Sequence, residues 1–388
     1  MKTNIHQHAD IKTILADKGL DGGATVWAER IERVSAQDVE RALGQRAGSY
    51  SLDRLLALVS PAAEGYLEEM AQAARRLTIQ RFGRTVRLYA PLYLSNYCVN
   101  SCLYCGFNKE SESQRCRLSV EQAAAEAEVI AGEGFRDILL VSGEDRGFVD
   151  VDYLTRLAEE LRDTFDFISV EVYQMTAEAY GRLFAAGIDG VTLYQETYDR
   201  RAYRHYHPGG PKADYDNRLA TPDYVAAAGM RQIGLGALLG LADWRCETLA
   251  LAEHANYLIK RYWRSQVSFS FPRLRPAHQV DGLQFEHPVS DRNLVQMITA
   301  LRLCFSDAGL VLSTREGAEL RDHLIKLGIT RMSAGSKTSP GGYSHETDAT
   351  EQFQIDDSRT PGQVAEMIKA AGAEPVWKDW ERPNEVES

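Results

Sequence analysis

The sequence predicts an α/β fold, a (βα)8 barrel of the TIM type with an N-terminal helical extension and a C-terminal cap. Three observations carry this expectation. From about residue 88 onward, short β-branched or apolar runs alternate with longer stretches of helical periodicity, the pattern of βα units around a parallel sheet. About eight such units can be counted, the number that closes a barrel. The residues before them show helical spacing of apolar side chains with few strand formers.

Residues 1–85 form the expected extension, in which SAQDVERALG and SYSLDRLLALVSPAAEGYLEEMAQAARRLTIQRF carry the helical spacing. Residues 86–340 hold the barrel, with strands expected at 87–95, 137–142, 167–173, 190–195, 231–239, 266–271, 310–314 and 329–334. A helix is expected over 119–134, where Ser119 can cap the first turn and Glu121 and Gln122 stand near capping-box spacing. Residues 341–388 form the cap. It follows the turn at Pro340 to Gly342 and contains a short helix in VAEMIKAAG, then EPVWKDW as a closing strand or lid element.

Hydrophobic residues at 44%, charged residues at 26% and a mean hydropathy of -0.34 exclude wholesale disorder, a collagen-like repeat and a membrane bundle. Forty-four Lys and Arg against 55 Asp and Glu leave a formal charge of -11, so no overall positive field draws the chain to nucleic acid or anionic lipid. The longest charge-free run, Leu88 to Asn108, contains Pro91, Asn96, Asn100 and three cysteines that hydrocarbon would not accept. The start, MKTNIHQHADIKTILADKG, interrupts its apolar residues with His, Asp and Lys and lacks a signal-peptide core. A cytoplasmic protein with neither a nucleic-acid nor a membrane partner is expected.

Six cysteines are too few for a disulfide scaffold, and three crowd together as Cys98, Cys102 and Cys105 while Cys116, Cys246 and Cys304 are scattered. In such a barrel the loops after the C-terminal strand ends form the catalytic face. The successive strand ends read SNYC, SGED, EVYQ, QETY, GLG, FPRLRP, STRE and SAGSKT, bringing thiols, carboxylates, arginine and glycine-rich backbone to one rim. Three thiolates spaced C-x3-C-x2-C can hold three irons of a 4Fe-4S cluster and leave the fourth open to a small molecule. The alternative is structural zinc completed by Cys116, although such sites commonly use paired C-x2-C units and no second pair stands nearby.

CVNSCLYC, with Tyr104 directly before the third cysteine, resembles the signature of the radical S-adenosylmethionine superfamily. The resemblance implies a cluster on Cys98, Cys102 and Cys105 and S-adenosylmethionine chelated to the open iron, which yields a 5′-deoxyadenosyl radical on reduction. PLYLSNYCVNSCLYCGF, LLVSGE, YQETY, IGLGALLGL, SFPRLRP, LSTRE, SKTSPGGY and PVWKDW, in this order, resemble the 2-iminoacetate synthases, the tyrosine lyases of bacterial thiamine biosynthesis. That family takes hydrogen from the amino group of L-tyrosine, whose Cα–Cβ bond then breaks to give 2-iminoacetate and p-cresol. The implied partners are a flavodoxin or ferredoxin reductant and a thiazole synthase subunit that receives the imine.

The resemblance also implies roles at the rim. Tyr104 is expected against the adenine, and Ser142, Gly143 and Glu144 match the glycine-rich segment that receives the cofactor's ammonium. Glu171, Tyr173 and Gln195 are expected at the cofactor and Glu196 at the chemistry. Gly234 and Gly236 would let backbone approach a flat ligand, or allow tight strand packing. A substrate carboxylate in an apolar cavity needs a cation, and Arg315 in LSTRE matches the anchor of related aromatic amino acid lyases, unless it pairs with Glu316 or Glu144. Ser333 or Ser336 would complete the clamp, and Tyr93 matches a substrate-side tyrosine. Arg273 and Arg275 suit a salt bridge or a cofactor carboxylate. Glu196, His205 and His207 are candidates for a group near the phenol.

Three alternatives stand beside this reading. A tryptophan lyase of the same fold would share the clamp. A tyrosine-cleaving relative from hydrogenase cofactor assembly would carry further cysteines near its C-terminus, whereas Cys304 is the last one here. A zinc-stabilised scaffold would have no activity at all.

Overall fold

The structure is a computed structural model that describes residues 9–22, 24–280, 285–344 and 347–378. Eight parallel strands follow one another in sequence order: β1 (Thr85–Ser95), β2 (Asp137–Ser142), β3 (Phe167–Glu171), β4 (Gly190–Thr192), β5 (Gln232–Gly236), β6 (Gln266–Ser270), β7 (Gly309–Leu312) and β8 (Arg331–Ser333). β1 pairs with both β8 and β2, which closes the barrel. The apolar runs at 190–195 and 231–239 outlast their strands because the backbone leaves the regular ladder at the rim. Gln195 still donates to the Gly236 carbonyl at 3.1 Å and Leu238 to that of Glu196 at 2.7 Å.

The helix Val120–Gly132 starts as its sequence dictates, with Ser119 Oγ accepting the Gln122 N–H and Gln122 Oε1 accepting that of Ser119. Among the N-terminal helices, Leu52–Val59 and Leu67–Phe82 pack on the barrel helix Asp291–Cys304. Buried Arg54 stitches the two parts together, donating to the carbonyls of Ala42, Arg46, Ser49 and Leu303 at 2.6–3.1 Å. These carbonyls satisfy a cation that has no carboxylate partner among the described residues.

At the N-terminal end of the barrel, Arg87 and Arg331 converge on buried Asp137, and their guanidiniums lie over Phe167 and Tyr89 at 4.6 and 4.4 Å. This layer fills the floor beneath the C-terminal strand ends. β9 (Glu374–Val376) pairs with the first residues of β1, and Trp377 packs edge-on to Phe135 at 5.2 Å. EPVWKDW therefore begins as a closing strand, while Asp379 and Trp380 lie outside the described residues. Among the described residues no helix is long and apolar enough to cross a membrane.

Candidate active site

β1 delivers the cysteine loop to the rim, and the β2 loop locks it there. Gly143 donates to the Ser95 carbonyl at 3.0 Å, and a Cβ at Gly143 would stand 2.2 Å from the Tyr97 carbonyl oxygen. Only glycine fits that approach. Asn100 reaches three ways: its Nδ2 donates to Glu144 Oε2 at 2.7 Å and to Cys98 Sγ at 3.5 Å, and its Oδ1 accepts the Lys212 N–H at 2.9 Å.

Cys98, Cys102 and Cys105 line one cavity, and none of the six cysteines is in a disulfide. Burial pushes the Cys102 thiol up to about 12 and Cys105 up to about 11, so thiolates here need metal charge beside them. Soft donors, burial and an amide aimed at Cys98 suit an iron-sulfur cluster. Cys116 does not line the cavity. Its N–H donates to Asn96 Oδ1 and its side chain packs on the main apolar core. Cys116 is therefore not placed to join the trio as the fourth donor that the zinc alternative needs.

Tyr104, Ser142, Gly143, Glu144, Glu171, Tyr173 and Glu196 line the same cavity. Glu144 is already held by Asn100 and by Arg146 Nε at 2.7 Å. Tyr173 donates its hydroxyl to the Val149 carbonyl at 2.7 Å beneath the Arg146 guanidinium. His207 Nδ1 faces the Tyr203 carbonyl at 2.8 Å and must carry the proton, so Nε2 accepts the Tyr104 hydroxyl at 2.8 Å. Burial, reinforced by Lys212, pushes His207 down to about 3, so its ring is neutral and its Nε2 is taken by Tyr104. His205 is exposed and outside the cavity.

Glu196 sits at φ 69°, an uncommon left-handed position for a side-chain-bearing residue. Burial would raise its carboxyl, yet Lys212 at 2.6 Å and Arg218 at 3.6 Å hold it below the usual carboxylate value. Lys212 and Arg218 carry no motif that sequence reasoning could have used. Gln195, Gly234 and Gly236 do not line this cavity. Gln195 Nε2 contacts the Tyr215 carbonyl at 3.5 Å, while a Cβ at Gly234 would meet Thr192 Oγ1 at 2.5 Å. At Gly236 a Cβ would meet the Tyr194 ring at 2.6 Å, so strand packing is enough to account for both glycines. Gly236→Ala is expected to cost about 1–3 kcal/mol by overpacking, read as a lower denaturation midpoint.

A second cavity shares Glu171, Tyr194, Arg315 and Phe353 with the first and adds Tyr93, Ser333 and Ser336. Arg315 places its guanidinium carbon 3.3 Å from the Phe353 ring centre and donates to the Arg273 carbonyl at 3.4 Å. Among the described residues it pairs with no carboxylate. Glu316 is held by Arg273, which also takes Asp291 and the Val289 carbonyl, and Glu144 is held by Arg146. The ion-pair alternative for Arg315 therefore falls, and Arg273 is structural. Arg275 pairs with Asp356 at 2.9 Å while its buried Nε has no partner among the described residues. Ser333 Oγ accepts the Thr314 N–H at 3.1 Å, and the buried Ser336 hydroxyl has no partner among the described residues. Burial pushes Glu171 up to about 7 against the pull of Arg315, and its carboxylate makes no hydrogen bond among the described residues.

Residues 92–252 match the Radical SAM superfamily and residues 270–374 the Biotin and Thiamin Synthesis associated domain. The chain is 46% identical over 353 residues to 2-iminoacetate synthase of Escherichia coli (strain K12), covering 91% of this chain and 93% of that one. The FeFe-hydrogenase maturase HydG from Carboxydothermus hydrogenoformans superposes with a TM-score of 0.83 at 32% identity, over 95% of this chain and 85% of its own. Methylornithine synthase (PylB), at TM-score 0.69 and 21% identity over 87% of this chain and 97% of its own, shares the fold. A closed barrel with three cysteines at one rim cavity, joined to similarity along nearly the whole length, places the chain in the 2-iminoacetate synthase family of radical S-adenosylmethionine enzymes.

Proposed function

We propose that this protein splits the Cα–Cβ bond of L-tyrosine to give 2-iminoacetate and p-cresol for thiazole formation. The observation that carries this reading is a pair of opposite charges, Arg315 and Glu171, that line one cavity and form no ion pair with each other. Such a pair is complementary to a zwitterion, with the guanidinium fork for the carboxylate and the carboxylate for the ammonium. The shared lining also links this cavity to the one holding Cys98, Cys102 and Cys105.

The chemistry that a cluster on these cysteines supplies with S-adenosylmethionine is removal of one hydrogen atom from the substrate. The protein's own groups prepare for it. Arg315, with the Ser336 hydroxyl beside the cavity, fixes the carboxylate. Glu171 takes a proton from the ammonium, since hydrogen abstraction requires the neutral amine. Tyr93 and Tyr194 wall the substrate off from water. Glu196, kept ionised by Lys212 and Arg218, stands on the cluster side and suits contact with the cofactor. A reductant such as flavodoxin or ferredoxin and a thiazole synthase subunit complete the scheme.

Glu171 gives this reading a pH signature. Below about pH 7 the free group protonates, so tyrosine affinity is expected to fall toward acid and to hold steady above. Arg315, Lys212 and Arg218 act against the shift and Glu196 adds to it. Glu171→Gln is expected to weaken binding and flatten the profile between pH 6 and 8, measured by equilibrium dialysis. The function itself is tested by anaerobic incubation of iron-loaded protein with S-adenosylmethionine, dithionite and either amino acid. The expected products from tyrosine are p-cresol and 5′-deoxyadenosine. An indole-derived product from tryptophan with no p-cresol from tyrosine would overturn the choice.

A further inference from the structure

We propose that Gln352 and Phe353, on the segment that follows β8, are positioning residues that set the direction of the substrate-facing groups Tyr93 and Arg315. The proposal rests on the amino acid reading of the second cavity and adds two residues that no motif marks.

Arg315 has four rotatable side-chain bonds and, among the described residues, no carboxylate to hold it. An unpaired guanidinium of this kind would otherwise sample many rotamers. The Phe353 face at 3.3 Å fixes the plane of its fork, and stacking of this sort is available to arginine but not in the same geometry to lysine. One residue earlier, Gln352 Oε1 accepts the Tyr93 hydroxyl proton at 2.7 Å. Tyr93 thereby spends its only donor on the protein, and its oxygen is left as an acceptor, the polarity that an ammonium or amine requires.

The backbone carrying both side chains is pinned at several points. Asn96 Nδ2 donates to the Thr350 carbonyl at 3.1 Å, and Gly106 N–H, directly after Cys105, donates to the Gln352 carbonyl at 3.1 Å. Gln352 N–H donates to the Thr338 carbonyl at 3.0 Å, Thr338 Oγ1 to the Phe353 carbonyl at 3.0 Å, and Asp356 N–H to the Thr314 carbonyl at 2.9 Å. A Cβ at Gly106 would lie 2.6 Å from the Glu351 carbonyl oxygen and 2.9 Å from that of Gln352, so the segment lies tight on the cysteine loop. One strap thus runs from the loop of the three cysteines, past Tyr93, to the loop of Arg315.

The test uses anaerobic iron-loaded protein with S-adenosylmethionine bound. Tyrosine affinity is measured by equilibrium dialysis, and turnover as p-cresol formed. Phe353→Leu is expected to weaken tyrosine binding about tenfold, raising KM more than it lowers kcat, while Phe353→Tyr keeps the ring face and stays near the parent value. Gln352→Leu and Tyr93→Phe are each expected to slow turnover, with the double variant no slower than the worse single one. Equal losses in Phe353→Leu and Phe353→Tyr, unchanged tyrosine affinity in Phe353→Leu, or additive losses in the Gln352–Tyr93 cycle would overturn the proposal while leaving the amino acid reading intact. Failure of the parent protein to bind tyrosine would instead remove the reading on which it rests.

Discussion

Arg315→Ala is expected to weaken tyrosine binding by about 100-fold or more while leaving the cluster intact. Removing one partner of a buried charge pair costs about 2–5 kcal/mol, because the other charge stays in a cavity that cannot solvate it. The free protein should tolerate the change, since Arg315 forms no ion pair among the described residues that its loss would break. The damage therefore belongs to the complex. Arg315→Lys keeps the charge but loses the fork and the planar stack on Phe353, so an intermediate loss is expected. Glu171 supplies a second readout. Arg315 pulls its carboxyl down, so in Arg315→Ala the acid limb of tyrosine binding should move to higher pH. Equilibrium dialysis across pH with visible absorption of the cluster checks both.

Cys98→Ala is expected to abolish cluster assembly and with it all cleavage of S-adenosylmethionine, and Cys102→Ala and Cys105→Ala should do the same. Their three thiols share the rim cavity, and the loop that presents them is fixed from outside the trio. Arg115 donates to the Phe107 and Asn108 carbonyls at 3.0 and 2.6 Å, and Gly143 to that of Ser95 at 3.0 Å. The alanine variants should therefore fold, with iron and sulfide content near zero and no 5′-deoxyadenosine formed. Cys116→Ala is expected to leave iron content and turnover unchanged, because Cys116 packs against the apolar core away from the cavity.

Much of this was legible in the sequence, for identifiable reasons. DILLVS is a short apolar run with polar residues on both sides, and β2 occupies those six residues. Ser119 and Gln122 stand at true capping-box spacing and form the box, while Glu121 takes the Ser119 hydroxyl instead. The apolar runs after β4 and β5 misled by length, since residues such as Leu193 and Leu239 remain buried after the strands have ended. At the site, loop residues next to a strand end were readable because barrel geometry gathers all eight ends at one rim. Lys212, Arg218, Gln352 and Phe353 reach the same cavity from distant loops and a helix, where no periodicity marks them. Gly234 and Gly236 illustrate the converse. A glycine signals close approach, but only the three-dimensional packing shows that Thr192 and Tyr194 are what approaches.

The proposed reaction requires that three cysteines leave one iron without a protein ligand. Electron–nuclear double resonance on the reduced, iron-loaded protein, with S-adenosylmethionine labelled in its amino nitrogen and carboxylate oxygen, tests this directly. The expected result is hyperfine coupling of both labels to one iron. A cluster whose four irons all carry protein ligands, with neither label coupled, would contradict it.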